Sequence, residues 1–112
     1  MAEVQKQEEN KQYIVAKIGC EQYGIDIAYV DNIVRMQKIT RVPKTQPYFL
    51  GVINLRGEII PVMSMHKKLE LGEDEISNTT RIIIIKPEQS ALLGLLVDEV
   101  REVVTMPEED SE

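Results

Sequence analysis

The chain predicts a mainly β protein, either one small domain or two very small barrels sharing a core, and three observations carry that expectation. At 112 residues and 12.8 kDa it has room for little more. One Phe and no Trp leave aliphatic side chains to fill the core, which favours strands rich in Ile, Val and Leu. The chain also repeats itself at a separation of 70 residues: Gly24-Ile25 aligns with Gly94-Leu95, Val30 with Val100, and Ile33-Val34 with Val103-Val104.

The elements follow in order. Residues 1 to 11 are polar and without periodicity, so they are expected to be disordered. Gln12 to Ile18 and Gln22 to Ile27 form a hairpin about Gly19-Cys20-Glu21. In Asp26 to Arg35, apolar residues at helical spacing compete with β-branched content, and a short helical turn near Ala28 to Val30 followed by a strand is the favoured compromise. Ile39 to Pro43 reads as extended and Pro43 to Pro47 as a loop. In "GVINLRGEIIPV" the pair Arg56-Gly57 makes a two-residue connection, with Gly57 at positive φ and Ile53 opposite Ile60. Both of its strands are apolar on both faces and so should be buried on two sides, while Pro61 implies an edge or a bulge. Ser64 to Leu71 is a helix candidate, Gly72 to Thr80 a polar loop, and Arg81 to Lys86 with Leu92 to Val97 a second hairpin around Pro87 to Ser90. Glu99 to Thr105 supplies a last strand.

Composition narrows the function. The formal net charge of -6 disfavours broad attraction to nucleic acid or anionic membranes. Arg35, Lys38, Arg41 and Lys44 form a basic stretch, read as a solvated loop with docking of an acidic partner as the minority reading, and the acidic tail over residues 108 to 112 is read as solvated. No apolar run reaches membrane-span length and the start lacks a signal peptide, so the expected address is cytoplasmic. A lone Cys20 agrees with a reducing compartment.

Chemistry finds little footing. His66, the single histidine, reads as a surface residue beside Lys67 and Lys68, and Cys20 as a turn residue. Together they lack the partners of a zinc site or a nucleophilic pair. The six glycines are scattered, so no phosphate-binding loop is present. Asp98 and Glu99, adjacent on a strand, point to opposite faces, and Asp98 reads as solvated or as a turn cap.

The run "QYIVAKIGCEQYGIDIAYVDNIV", followed by "ITRVP", "GVINLRGEIIPV" and "GLLVDEVREVV", resembles the CheW family, the coupling proteins of bacterial and archaeal chemotaxis, from Gln12 to Pro107. The resemblance implies two intertwined five-stranded barrels similar to SH3 domains, the first over about residues 12 to 71 and a partial second over about 79 to 107, because family members continue beyond this point. It implies a cytoplasmic adaptor without catalytic activity, metal or cofactor. Such an adaptor joins the cytoplasmic tip of methyl-accepting chemoreceptors to the regulatory domain of the histidine kinase CheA, with no nucleic-acid partner and no insertion into the membrane. By position, Val30, Ile33, Arg56, Val97 and Val100 would wall the receptor groove, and Gly51, Asn54 and Gly57 would shape the hairpin presenting Arg56. Asn32 and Ser64 depart from the acidic residues that many members carry there. A small β-barrel module for another protein or nucleic acid is the alternative, and an enzyme the third class.

Overall fold

A computed structural model of the chain describes residues 10–43, 46–87 and 91–107. Eight strands run in the order β1 (Asn10–Ile18), β2 (Glu21–Asp26), β3 (Val30–Arg35), β4 (Phe49–Leu55), β5 (Glu58–Ser64), β6 (Arg81–Ile85), β7 (Leu93–Val97) and β8 (Glu99–Pro107). A 3-10 turn over Ile27–Tyr29 precedes β3, and a helix α1 (Met65–Lys68) follows β5. Strand β1 begins at Asn10, inside the segment expected to be disordered. Residues 1–9, Lys44, the centre of the Pro87 to Ser90 loop and the acidic tail lie outside the described residues.

Two sheets result, a three-stranded one ordered β2-β1-β8 and a five-stranded one ordered β3-β6-β7-β5-β4. The repeat has a structural meaning. Each copy is a hairpin followed by a crossing and a third strand: β1, β2 and β3 in the first, β6, β7 and β8 in the second. The third strands are exchanged, since β3 pairs antiparallel with β6 and β8 with β1. Exchange of this kind intertwines two small SH3-like barrels.

Alternation places the core. On β1, Ile14, Ala16 and Ile18 are buried and the residues between them are not. One face of the five-stranded sheet packs Ile53, Ile60, Val62, Ile82, Ile84 and Leu96 into a first cluster. The opposite face turns Ile83, Leu95 and Val97 toward Ala16 and Ile18 of the other sheet, forming a second cluster. A fully buried aliphatic side chain contributes about 1.5–3 kcal/mol, so these two clusters carry the fold without large aromatics.

Two local expectations are revised. Strand β5 is interior, not an edge, but its parallel pairing with β7 covers only Val62 to Ser64. Pro61 therefore sits where β5 has β4 as its sole neighbour, and its missing donor costs no ladder bond toward β7. The helix is only one turn long. Ser64 caps it through Lys67 N at 3.1 Å, and it closes where Glu70 takes φ 60° and the Leu71 amide donates to the His66 carbonyl at 2.7 Å.

Candidate functional site

The hairpin β4–β5 pairs Ile53 with Ile60 and Leu55 with Glu58, leaving Arg56 and Gly57 as its two-residue tip. Both take positive φ, 55° and 83°, the pattern of a type I′ turn whose twist matches that of the flanking strands. Gly57 adopts it freely, whereas Arg56 pays the steric penalty of a side chain in the left-handed region. Asn54 secures the tip, its Oδ1 accepting from Gly57 N at 3.2 Å. The arginine is exposed, and among the described residues no ion pair or hydrogen bond holds its guanidinium.

Behind the tip lies a row of apolar side chains. Strand register sets Val30 beside Ile85 and Ile85 beside Leu93, and the β5–β7 ladder ends one residue away at Val62 and Gly94. Pro61 and Ile59 continue the same face toward Arg56, because Ile60 and Val62 between them point into the first cluster. Val30, Ile85, Leu93 and Pro61 are half-buried and Ile59 is 62% exposed. From β3 to β5 the row spans three strand spacings, about 14 Å. Of this row sequence reasoning named only Val30, and it missed Ile85, Leu93, Pro61 and, most exposed of them, Ile59. Strands apolar on both faces implied burial on both, and nothing local shows which Ile faces out.

The other residues named from the sequence fall differently. Ile33 and Val100 are half-buried beside the second cluster, near Val30. Val97 is 1% exposed and belongs to that cluster itself, so it braces the wall from behind and presents no side chain to a partner. Gly51 is remote from the tip. At φ 145° it lets the Thr40 backbone close against β4, where Thr40 and Val52 exchange hydrogen bonds of 2.8 and 2.9 Å. Of the basic stretch, Arg41 lines a pocket of about 230 Å³ with Lys67, Glu73 and Asp74, so acids of this chain stand close to it.

His66 corrects the sequence reading outright, whereas Asp98 keeps the turn-capping role that was one of its two readings and adds a buried partner. His66 is only 7% exposed, and its Nε2 lies 2.8 and 2.9 Å from the two carboxylate oxygens of Asp98. Asp98 Oδ2 also accepts from Gly19 N at 2.8 Å. Neighbouring lysines suggested an exposed helix, and a partner 32 residues away leaves no local signal. Among the described residues no three His, Cys, Asp or Glu side chains gather as a metal ion would require. None of the helices there is long and apolar enough to cross a membrane.

Comparison with known proteins agrees with this geometry. The family model described as a CheW-like domain matches residues 12–112. The chain is 43% identical over 99 residues to a chemotaxis protein CheW of Bacillus subtilis, covering 88% of this chain and 63% of that protein. It is 34% identical over 108 residues to a chemotaxis protein CheW of Helicobacter pylori, covering 94% of this chain and 65% of the relative. The chain thus spans less than two thirds of the length of these relatives. A crystal structure of the scaffolding protein TtCheW from Thermoanaerobacter tengcongensis superposes with a TM-score of 0.82 at 38% identity, covering 88% of this chain and 67% of that one. Exchanged third strands, a left-handed Arg-Gly hairpin tip and these matches place the chain in the CheW-like family.

Proposed function

We propose that the chain is a non-catalytic adaptor of chemotaxis signalling that works in the cytoplasm and joins a chemoreceptor tip to the regulatory domain of CheA. The observation that carries this reading is the apolar row Val30, Ile85, Leu93, Pro61 and Ile59, which ends at an unpaired Arg56. A row about 14 Å wide suits one face of a helix laid across the strands. The arginine fork then meets a carboxylate or the carbonyls at the helical tip. Relatives bearing the name chemotaxis protein CheW and a structural neighbour described as a scaffolding protein favour the same role. A deliberately exposed arginine in a strained turn is otherwise hard to explain, since Asn or Gly would make the same hairpin at lower cost.

Co-sedimentation with receptor-tip fragments and with the CheA regulatory domain tests the proposal. Binding to both is expected, and Arg56→Asp should weaken the receptor interaction alone. Absence of binding to either partner would refute it.

A further inference from the structure

Asp98 is the single residue between β7 and β8, and there the chain leaves the five-stranded sheet and enters the three-stranded one. Its amide donates to the Lys17 carbonyl at 2.9 Å, and its own carbonyl accepts from Thr79 Oγ1 at 3.0 Å. The carboxylate accepts from the Gly19 amide and from His66. His66 belongs to α1, which continues directly from β5. Asp98 therefore ties the end of β1 and the β1–β2 turn, on one sheet, to the helix that extends the other.

The pair is buried chemistry that the adaptor surface does not use. A carboxylate only accepts, so His66 Nε2 carries the hydrogen and donates it. The second ring nitrogen, Nδ1, is buried and has no hydrogen-bond partner. Such an arrangement forgoes one hydrogen bond to keep the other, which is strong because its acceptor is charged. Among the described residues, the remaining crossing, Ile27–Tyr29 between β2 and β3, has no buried ion pair joining the two sheets. Asp26 there caps Ala28 N at 2.9 Å and pairs with Lys11 Nζ of β1 at 3.8 Å, a partner on its own sheet, and Lys86 N donates to Tyr29 O at 2.8 Å. In the repeat register the two crossings are equivalent. Val30 directly follows the first, and Val100 lies two residues beyond Asp98.

We propose that the His66–Asp98 pair is the lock that sets the angle of the three-stranded sheet on the five-stranded one, and thereby the separation of Val100 from Val30. His66 and Asp98 are thus positioning residues, and occupation of the apolar row by a partner helix is coupled to closure of the lock. This rests on reading that row as the partner surface. Coupling of this kind is reciprocal, so a bound helix should also tighten the joint.

Spin labels at R35C and E102C, both exposed and on opposite sheets, report the angle in a Cys20→Ser background. The parent should give one narrow distance. His66→Phe should broaden it and lower the affinity for a synthetic receptor-tip peptide about tenfold, as expected for losing a hydrogen bond to a charged group. His66→Gln, whose amide can still donate to Asp98, should restore both. Thr79→Val, which removes the exposed bonds of Thr79 Oγ1 to the Asp98 carbonyl and to Ser77 Oγ, should broaden the distance partially and serves if His66→Phe does not fold. An unchanged distance in His66→Phe, or in Thr79→Val where His66→Phe does not fold, or a broadened distance with unchanged affinity, would overturn the lock. Failure of the parent to bind the peptide would instead sink the adaptor reading, while the distances still decide whether the joint is locked.

Discussion

Gly51 and Thr40 meet backbone to backbone: a Cβ on Gly51 would lie well inside van der Waals contact with the Thr40 carbonyl. The contact is what lets the segment before β4 bridge to Val52. Gly51→Ala should therefore cost about 2–4 kcal/mol, since it adds both a clash and an unfavourable φ, and a urea melt reads the change directly. Affinity for the receptor tip should fall only as far as the folded fraction falls. Full retention of stability would show that the bridge is not needed.

Arg56 separates function from stability. Arg56→Asp should weaken receptor binding by about 1.5–3 kcal/mol with little change in the melt, because the tip is exposed. Arg56→Gly should relieve the left-handed penalty of about 1–2 kcal/mol and still lose affinity. A variant that becomes more stable and binds equally well would assign Arg56 to neither role.

Ile59 should behave as a surface anchor. Ile59→Ser removes apolar area from an already exposed position, so the melt should hold while receptor affinity drops by about 1–2 kcal/mol in titration calorimetry. A large loss of stability would place Ile59 in the core after all.

Gly94 gives the opposite case. A Cβ there would sit 2.9 Å from Ile82 Cγ2 and 3.3 Å from Val62 Cγ2, inside the first cluster. Gly94→Val should destabilise by about 1–3 kcal/mol through overpacking, and Gly94→Ala by less, both measured by thermal melts.

Among the described residues, strand β8 pairs with β1 on one side and is the edge of its sheet on the other. Amide exchange along residues 99–107 should alternate between protected groups directed at β1 and fast ones directed outward. Uniformly slow exchange in a demonstrated monomer would contradict an open edge.

What could be read from sequence was local or repeated. The Ile53–Ile60 register and the Arg56-Gly57 tip follow from a hairpin closed by two residues, where turn chemistry and pairing are adjacent in the chain. The crossing before Val30 was legible as a helical turn because its apolar spacing changes there. The 70-residue offset showed two copies but not their exchange, because nothing in β3 says that its neighbour is β6. Ile59 and Ile60 are chemically identical, so only the register of β5 against its neighbours decides which one faces out. His66 was misjudged from its lysine neighbours, and the burial of Val97, named only through the family resemblance, was not legible either, since burial depends on what arrives from 30 or more residues away.

The exchanged third strands also bear on how the protein is made. Asn10 pairs with Pro107, so the three-stranded sheet is closed by residues from opposite ends of the described chain. During synthesis the β1–β2 hairpin must wait, with Ile14, Ala16 and Ile18 uncovered, until β8 has left the ribosome. Pairing over such a sequence distance raises contact order and slows folding relative to a chain of the same size built from local hairpins. The β4–β5 hairpin that carries Arg56 needs no such delay, so its tip can form early while the three-stranded sheet assembles only once β8 is made.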